Sequence, residues 1–202
     1  MFSGGPRCQI SNEYYNLNNS MRLLWERQIS WKRLAIISIV DKTKDVELVL
    51  RRLYKNSHDF ANFLEPFYGA KSANTLGAHL KEHLVIAAEL ICTGNIGDLE
   101  RVKVLKERWY QNALTISGFL NEINPYLNYE EFLGMFNEHL SLTEAAAYYR
   151  INQNFEKQVM MFDLLAIQAF DISDLLTNAI ADQFLEFSLT LKTSTEEILL
   201  LN

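Results

Sequence analysis

The amino-acid sequence predicts an all-α protein, a single-domain antiparallel helical bundle of about five to seven helices. Apolar residues recur at spacings of three and four through most of the chain, which is typical of amphipathic helices. Only 8 Gly and 3 Pro occur among 202 residues, so few positions interrupt a helix. Apolar residues make up 49% of the chain, which is enough to bury a sizeable core.

The first half of the chain predicts four helices. They cover residues 21–41, 46–54, 58 to about 66, and 70–93. Asn56-Ser57 is read as the N-cap of the third of these, and Pro66 and Gly69 are expected to end it. Residues 1–18 are rich in Gly and Asn and are predicted to be poorly ordered, so the bundle domain is expected to span 19–187.

The second half predicts two long helices and one interrupted helix. Asp98 caps a helix that Pro125 follows, and Asn128 caps a helix over residues 129–142. A bend is expected at 141–143, before an Ala-rich segment at 144–149. The last long helix is expected from Asn152 or Asn154 to about residue 187, and 188–202 form a tail or a short helix.

Composition disfavours several classes of protein. The net charge of -6 disfavours nucleic acid as a partner, because phosphate binding needs a concentrated basic surface. The longest aliphatic run, 34–40, is far shorter than the roughly 20 residues of a membrane-spanning helix. The N-terminus lacks an apolar secretory region, and two cysteines do not make a disulfide framework. We therefore expect a cytoplasmic protein without a membrane span.

Four predicted helices each place a polar side chain on or beside an apolar face. These residues are Gln28, His83, Asn112 and His139. If the faces converge, the side chains form one polar cluster in the core that binds a small ligand. The other interpretation is that each is a core residue satisfied by hydrogen bonds. Asp163 and Asp174, on one edge of the last helix, are candidates to join the cluster, and no catalytic residue is assigned.

A metal site is the alternative interpretation of the same residues. His83 and His139 would hold a divalent transition metal weakly, because two imidazoles are fewer than the usual three protein ligands, and hydrolytic or redox activity would follow. The spacing His79-x-x-Glu82-His83 matches a short zinc-protease pattern. On a helix, however, Glu82 points about 100° away from His83, which disfavours a protease. A di-iron site is excluded because no histidine has Glu three residues before it.

The last predicted helix is apolar over more than half of its circumference. Part of that surface would remain exposed in a monomer, and exposed apolar patches usually mark interfaces. We therefore expect a homodimer or another protein partner at this helix.

Several short motifs carry a family resemblance across about residues 21–185. They are Met21-Arg-Leu-Leu-Trp-Glu26, Asp59-Phe-Ala-Asn62, Pro66-Phe-Tyr-Gly69, His83-Leu-Val-Ile-Ala-Ala-Glu-Leu90, Arg108-Trp-Tyr110, Ile123-Asn-Pro-Tyr126 and Glu138-His-Leu-Ser-Leu-Thr143. Together they resemble an uncharacterised all-helical family of spore-forming bacteria whose members often carry the label acetylglutamate kinase. The resemblance implies a three-histidine core site in the family, which is reduced here to His83 and His139 because Gln28 stands where the family has its first histidine.

The chemistry of the sequence does not favour the kinase activity in that label. Acetylglutamate kinases are α/β proteins that hold phosphates with Gly-rich loops. This sequence contains no such loop and predicts no parallel strands. We expect a binding protein rather than an enzyme.

Overall fold

The computed structural model describes residues 12–184, which form five helices and no strands. The helices are α1 (Asn12–Val40), α2 (Val46–Ile96), α3 (Leu99–Ile123), α4 (Tyr129–Ile151) and α5 (Phe155–Phe184). The prediction of an all-α bundle is confirmed. None of the described helices is both long and apolar enough to cross a membrane.

Helix α2 is broken at Gly69, whose φ of 75° and ψ of 160° lie outside the helical region. Its two segments, 46–68 and 70–96, fold back on each other. A Cβ atom on Gly77 would lie 3.0 Å from the Cβ of Ala61. In a straight helix, which rises about 1.5 Å per residue, these positions would be roughly 24 Å apart. The helix end predicted near Pro66 and Gly69 is thus found at Gly69, where the chain reverses its direction sharply.

The bundle closes on itself through its two terminal helices. Helix α1 packs against α2 and α5, α2 packs against α3, and α4 packs mainly against α5. Large side chains from all five helices are fully buried in one core, among them Ile36, Ile86, Trp109, Phe132 and Leu165. This arrangement directs the apolar faces of all five helices toward a common axis.

Helix α1 begins earlier than the sequence analysis predicted. Residues 12–18, expected to be poorly ordered, belong to the helix and pack against α5. Leu17 is buried in the core, and Asn18 Nδ2 donates to Asp174 Oδ1 at 2.8 Å. These contacts hold a segment whose composition alone suggests a loop. Residues 1–11 and 185–202, including the predicted tail at 188–202, lie outside the described residues.

Two predicted helix interruptions are absent, because the polar residues that suggested them have partners within the fold. Asn56 is buried inside α2, and its Nδ2 donates to Gln28 Oε1 at 3.0 Å. Thr143 lies inside α4, where its hydroxyl donates to the carbonyl of His139 at 2.7 Å. A hydroxyl bonded to the carbonyl four residues earlier is compatible with a continuous helix.

The predicted caps of α3 and α4 are confirmed, whereas Asp45, expected to cap α2, makes no side-chain cap bond. Asp98 Oδ1 accepts from the amide of Arg101 at 3.0 Å, and Asn128 Oδ1 accepts from the amide of Glu131 at 3.1 Å. Of the two candidate caps for α5, Asn154 does the capping, since its Oδ1 accepts from the amide of Lys157 at 3.2 Å. These side chains satisfy amide groups that have no partner within the helix.

Candidate functional site

A mostly enclosed cavity of about 60 Å³ lies along the axis of the bundle, and all five helices contribute to its wall. Most of the wall is formed by leucine, isoleucine and phenylalanine side chains. Polar side chains also reach it, and they include Gln28, Lys32, Ser57, His83 and His139. The convergence predicted for Gln28, His83 and His139 is therefore found as a shared cavity.

His83 is held by α3 in a defined protonation state. Its Nδ1 lies 2.9 Å from Asn112 Oδ1, while Asn112 Nδ2 donates to the carbonyl of His79 at 3.3 Å. Since the amide nitrogen of Asn112 is used as a donor, its oxygen accepts a hydrogen bond from His83 Nδ1–H. Burial, helped by the positive charge of Lys32, lowers the pKa of His83 to about 3. The imidazole is therefore neutral at pH 7, with the lone pair on Nε2.

His139 has the same tautomer, fixed by α5. Gln168 Nε2 donates to the carbonyl of Met135 at 2.6 Å, which leaves Gln168 Oε1 to accept from His139 Nδ1 at 2.9 Å. The lone pair on His139 Nε2 faces Lys32, whose Nζ lies 2.5 Å away and donates to it. Burial lowers the pKa of His139 well below its ordinary value, and the Lys32 charge lowers it further.

Lys32 is a buried amine without an acidic partner. The residue is 6% exposed, and its second hydrogen bond runs from Nζ to Thr143 Oγ1 at 3.3 Å. None of the ion pairs in the described part of the chain includes Lys32. Burial without a compensating negative charge lowers the pKa of Lys32 to about 7. At neutral pH a large share of this amine therefore carries no charge.

Trp25 places an unpaired hydrogen-bond donor in the same wall. Its side chain lines the cavity and is 7% exposed, and its Nε1–H finds no acceptor among residues 12–184. The indole ring meets the His139 ring edge to face, with 5.6 Å between the centroids. A buried donor without an acceptor costs about 1–3 kcal/mol, so this group is a candidate to bind a ligand oxygen.

Phe136 contacts both imidazoles. Its ring centroid lies 5.0 Å from that of His83 and 6.4 Å from that of His139, and both pairs are stacked. Neither a ring contact nor a hydrogen bond joins the two imidazoles in the described structure. Gln28 likewise bonds Asn56 rather than a histidine. Of the predicted cluster, Gln28, His83 and His139 are thus distributed around one cavity, and Asn112 is bonded to His83 without lining it.

The two aspartates expected to join the cluster do not reach it. Asp163 is exposed on α5. Asp174 lies at the outer contact between α1 and α5, where its Oδ1 accepts from Arg22 Nε at 2.8 Å. That hydrogen bond lowers the pKa of the Asp174 carboxyl, although its side chain is 37% exposed. The helix edge that carries these residues faces α1 and solvent, so this part of the prediction is wrong.

The arrangement offers little support for the predicted metal. Among residues 12–184, no group of three or more His, Cys, Asp or Glu side chains is placed to hold a metal ion. Both ring nitrogens of His139 already have partners, and the partner of Nε2 is Lys32. A divalent cation at Nε2 would have to displace that amine. Metal binding by His83 and His139 stays a prediction, which elemental analysis of the untagged protein tests.

Lys32 is the site residue that the sequence analysis missed. On α1, Trp25, Gln28 and Lys32 are separated by three and four residues, so they share one helix face. Ile29 and Ile36 flank the lysine on the same apolar stripe. A lysine at such a position is a detectable signal, because a charged side chain in a core stripe is almost never fully buried without a partner.

Comparison with known protein families, with characterised proteins and with solved structures finds no match to this chain.

Proposed function

We propose that the protein binds a small, mostly apolar molecule in the axial cavity through an oxygen acceptor at one end of that molecule. The observation that carries the proposal is the pair of buried donors in the wall. Trp25 Nε1–H has no acceptor, and Lys32 has no acidic partner, in the described part of the chain. A ligand oxygen in the cavity would accept from Trp25 Nε1–H, and a carboxylate there would also compensate the charge of Lys32 when its amine is protonated.

The rest of the cavity wall suits the apolar part of such a ligand. The lining beyond the polar residues consists largely of leucine, isoleucine and aromatic side chains, including Leu84, Ile116 and Leu120. Ligand pockets in proteins are commonly of this kind, with apolar walls and a few polar groups that orient the ligand.

The volume limits the size of the ligand. The cavity of about 60 Å³ is much smaller than the roughly 150 Å³ of an engineered apolar cavity that binds benzene. Without rearrangement of the wall, the space suits a molecule of a few non-hydrogen atoms. Propanoate and 1-propanol are therefore suitable probes, since each has a short apolar chain and a terminal oxygen.

Nuclear magnetic resonance tests the proposal directly. In ¹⁵N-labelled protein we expect titration with propanoate or 1-propanol to shift the Trp25 indole N–H signal in a saturable way. The Trp25→Phe variant assigns that signal among those of the three tryptophans. No saturable shift with either probe would overturn the proposal.

A matched pair of variants separates cavity binding from surface binding. Leu120→Phe adds volume in the wall and should abolish the indole shift, whereas Leu48→Phe makes the same change on an exposed side chain of α2 and should preserve it. An equal shift in both variants would place the probe outside the cavity and contradict the proposal.

We also propose that the outer face of α5 is a homodimer interface. Met160, Leu164 and Ile167 project from it at helical spacing, with 54%, 46% and 61% of their surfaces exposed. The three side chains form a contiguous apolar row, because residues three and four apart are neighbours on a helix. A self-complementary row of this kind suits the isologous contact of a twofold dimer.

A further inference from the structure

We propose that Lys32 is a nucleophilic amine that condenses with a small aliphatic aldehyde in the axial cavity to form an imine. The inference rests on the proposed function, because it assigns a carbonyl ligand to the same cavity. It goes further in assigning a covalent reaction to a named atom, Lys32 Nζ.

Three features of the structure carry this assignment. Lys32 lines the cavity wall, so its amine is within reach of a molecule held there. No described carboxylate forms an ion pair with it that would hold it as an ammonium. Desolvation in an apolar pocket is a recognised way to make a lysine amine nucleophilic, since only the neutral form has the lone pair that attacks a carbonyl.

His139 provides the proton acceptor that the condensation needs. When Nζ attacks the aldehyde carbon, a C–N bond forms and the carbonyl oxygen becomes an alkoxide. His139 Nε2, 2.5 Å from Nζ, takes the proton that the nitrogen loses and delivers one to the oxygen. His139 then carries the second N–H proton to the hydroxyl, which leaves as water while the nitrogen lone pair closes the C=N bond. Amine and aldehyde thus give imine and water without any oxidant or reductant.

Gln168 is a positioning residue for this step. Its Oε1 holds the proton of His139 on Nδ1, and its own orientation is fixed by the bond from Nε2 to the carbonyl of Met135. Without Gln168 the proton can move to Nε2, which would remove the lone pair that faces Lys32. Gln168 therefore acts by fixing the tautomer of His139, and it does not need to contact the aldehyde.

The apolar wall and its volume favour short aliphatic aldehydes. Propanal has four non-hydrogen atoms, which suits a cavity of about 60 Å³. Its carbonyl oxygen can accept from the unpaired Trp25 Nε1–H, which lies in the same wall. Propanal is therefore the probe of choice.

Reductive trapping tests the inference on the full chain. The protein is incubated at pH 7 with less than one equivalent of propanal and sodium cyanoborohydride, and peptide mass spectrometry locates the propyl groups. We expect Lys32 to be labelled at least about tenfold faster than the exposed Lys103, because an ordinary lysine is almost entirely protonated at this pH. Labelling of Lys32 no faster than Lys103 would overturn the inference.

The outcome is distinguishable from failure of the proposed function. If propanoate shifts the Trp25 indole signal but Lys32 is not labelled preferentially, the cavity binds ligands and the covalent step is wrong. If neither occurs, both proposals fail. The labelling measurement uses the unmodified protein, so it does not depend on a variant that folds poorly.

Variants of Gln168 test its positioning role. Gln168→Leu should slow the labelling of Lys32, while labelling of Lys103 in the same sample stays unchanged. Gln168→Glu keeps an acceptor at Nδ1 and should restore most of the rate, with a changed pH dependence because the carboxylate favours the imidazolium. Equal rates in the wild type and Gln168→Leu would show that the tautomer of His139 does not matter for the reaction.

Discussion

At the scale of single residues, the unusual feature is an amine in an apolar core. Lys32 has a pKa of about 7, against an ordinary value of 10.5. Below pH 7 both the folded and the unfolded chain carry its proton, and the cost of burying the charge is fully present. Between about pH 7 and 10.5 the folded chain releases a proton that the unfolded chain keeps. This lysine therefore makes the folded state more stable as the pH rises through that range.

The free energy of unfolding, measured at pH 7 and at pH 9, tests whether Lys32 titrates in this range. Urea denaturation of the Lys32→Met variant should show a smaller gain in stability between these two pH values than the wild type. Lys103→Met, which removes an exposed lysine from α3, should keep the wild-type gain. An unchanged gain in Lys32→Met would show that the buried amine does not titrate in this range.

The buried histidines should also make the stability of the folded state depend on pH in the acid range. Burial lowers the pKa of His83 to about 3, so the unfolded chain binds more protons than the folded chain between about pH 3 and 6.5. Stability should therefore fall as the pH drops below 6.5. Replacing His83 by Gln, which does not titrate, should reduce the loss between pH 7 and pH 4.5. His58→Gln, on the exposed surface of α2, is the control and should leave the loss unchanged.

At the scale of helices, Gly69 determines how α2 reverses. Its φ of 75° is a conformation that side chains with a Cβ rarely adopt, although no atom lies within 4 Å of the position a Cβ would take. Gly69→Ala should therefore destabilise the protein through the backbone alone, by about 1–3 kcal/mol. Chemical denaturation measures the change.

Gly118 supplies the matched control for that prediction. It is exposed in the interior of α3, without a positive φ or a close neighbour. Gly118→Ala should stabilise the protein by about 0.5–1 kcal/mol, because alanine favours the helix. The two substitutions are chemically identical, and changes of the same sign would contradict the assigned role of Gly69.

Helix ends that are determined by local features could be predicted from the sequence, whereas the continuity of helices through buried polar residues could not. Asp98, Asn128 and Gly69 act locally, through side-chain caps and backbone conformation, and their effects were predicted. Asn56 and Thr143 resemble helix interrupters in sequence, but in the structure Gln28 and the carbonyl of His139 satisfy them. The partner of Asn56 lies on α1 and becomes visible only once the helices are placed together, whereas that of Thr143 lies one turn earlier on α4 itself.

The sequence predicted some residues of the candidate site and missed or misplaced others. His83, Asn112 and His139 lie on apolar helix faces, so periodicity found them. Lys32 was overlooked because lysine is normally exposed, and its burial depends on the packing of other helices around α1. Asp174 was assigned to the cluster because sequence alone does not reveal its partner Arg22, which is supplied by another helix.

At the scale of the whole molecule, the proposed homodimer can be tested at the outer face of α5. Ile167→Asp should shift the protein toward monomer in light scattering at a fixed concentration, because it places a charge in an apolar interface. Val104→Asp on α3 is the matched control, since Ile167 and Val104 are equally exposed at 61%. A monomeric wild type would contradict the proposed interface.

The contact between α1 and α5, the two ends of the described fold, has a consequence for how the protein is made. During synthesis, Lys32 leaves the ribosome well before Gln168, and α1 stays without its α5 partner until most of the chain has emerged. Until α5 docks, nothing holds the proton of His139 on Nδ1, and the bundle that desolvates Lys32 is incomplete. The lysine should then be hydrated and chemically ordinary. The reactivity proposed for Lys32 would therefore arise only after α5 has docked.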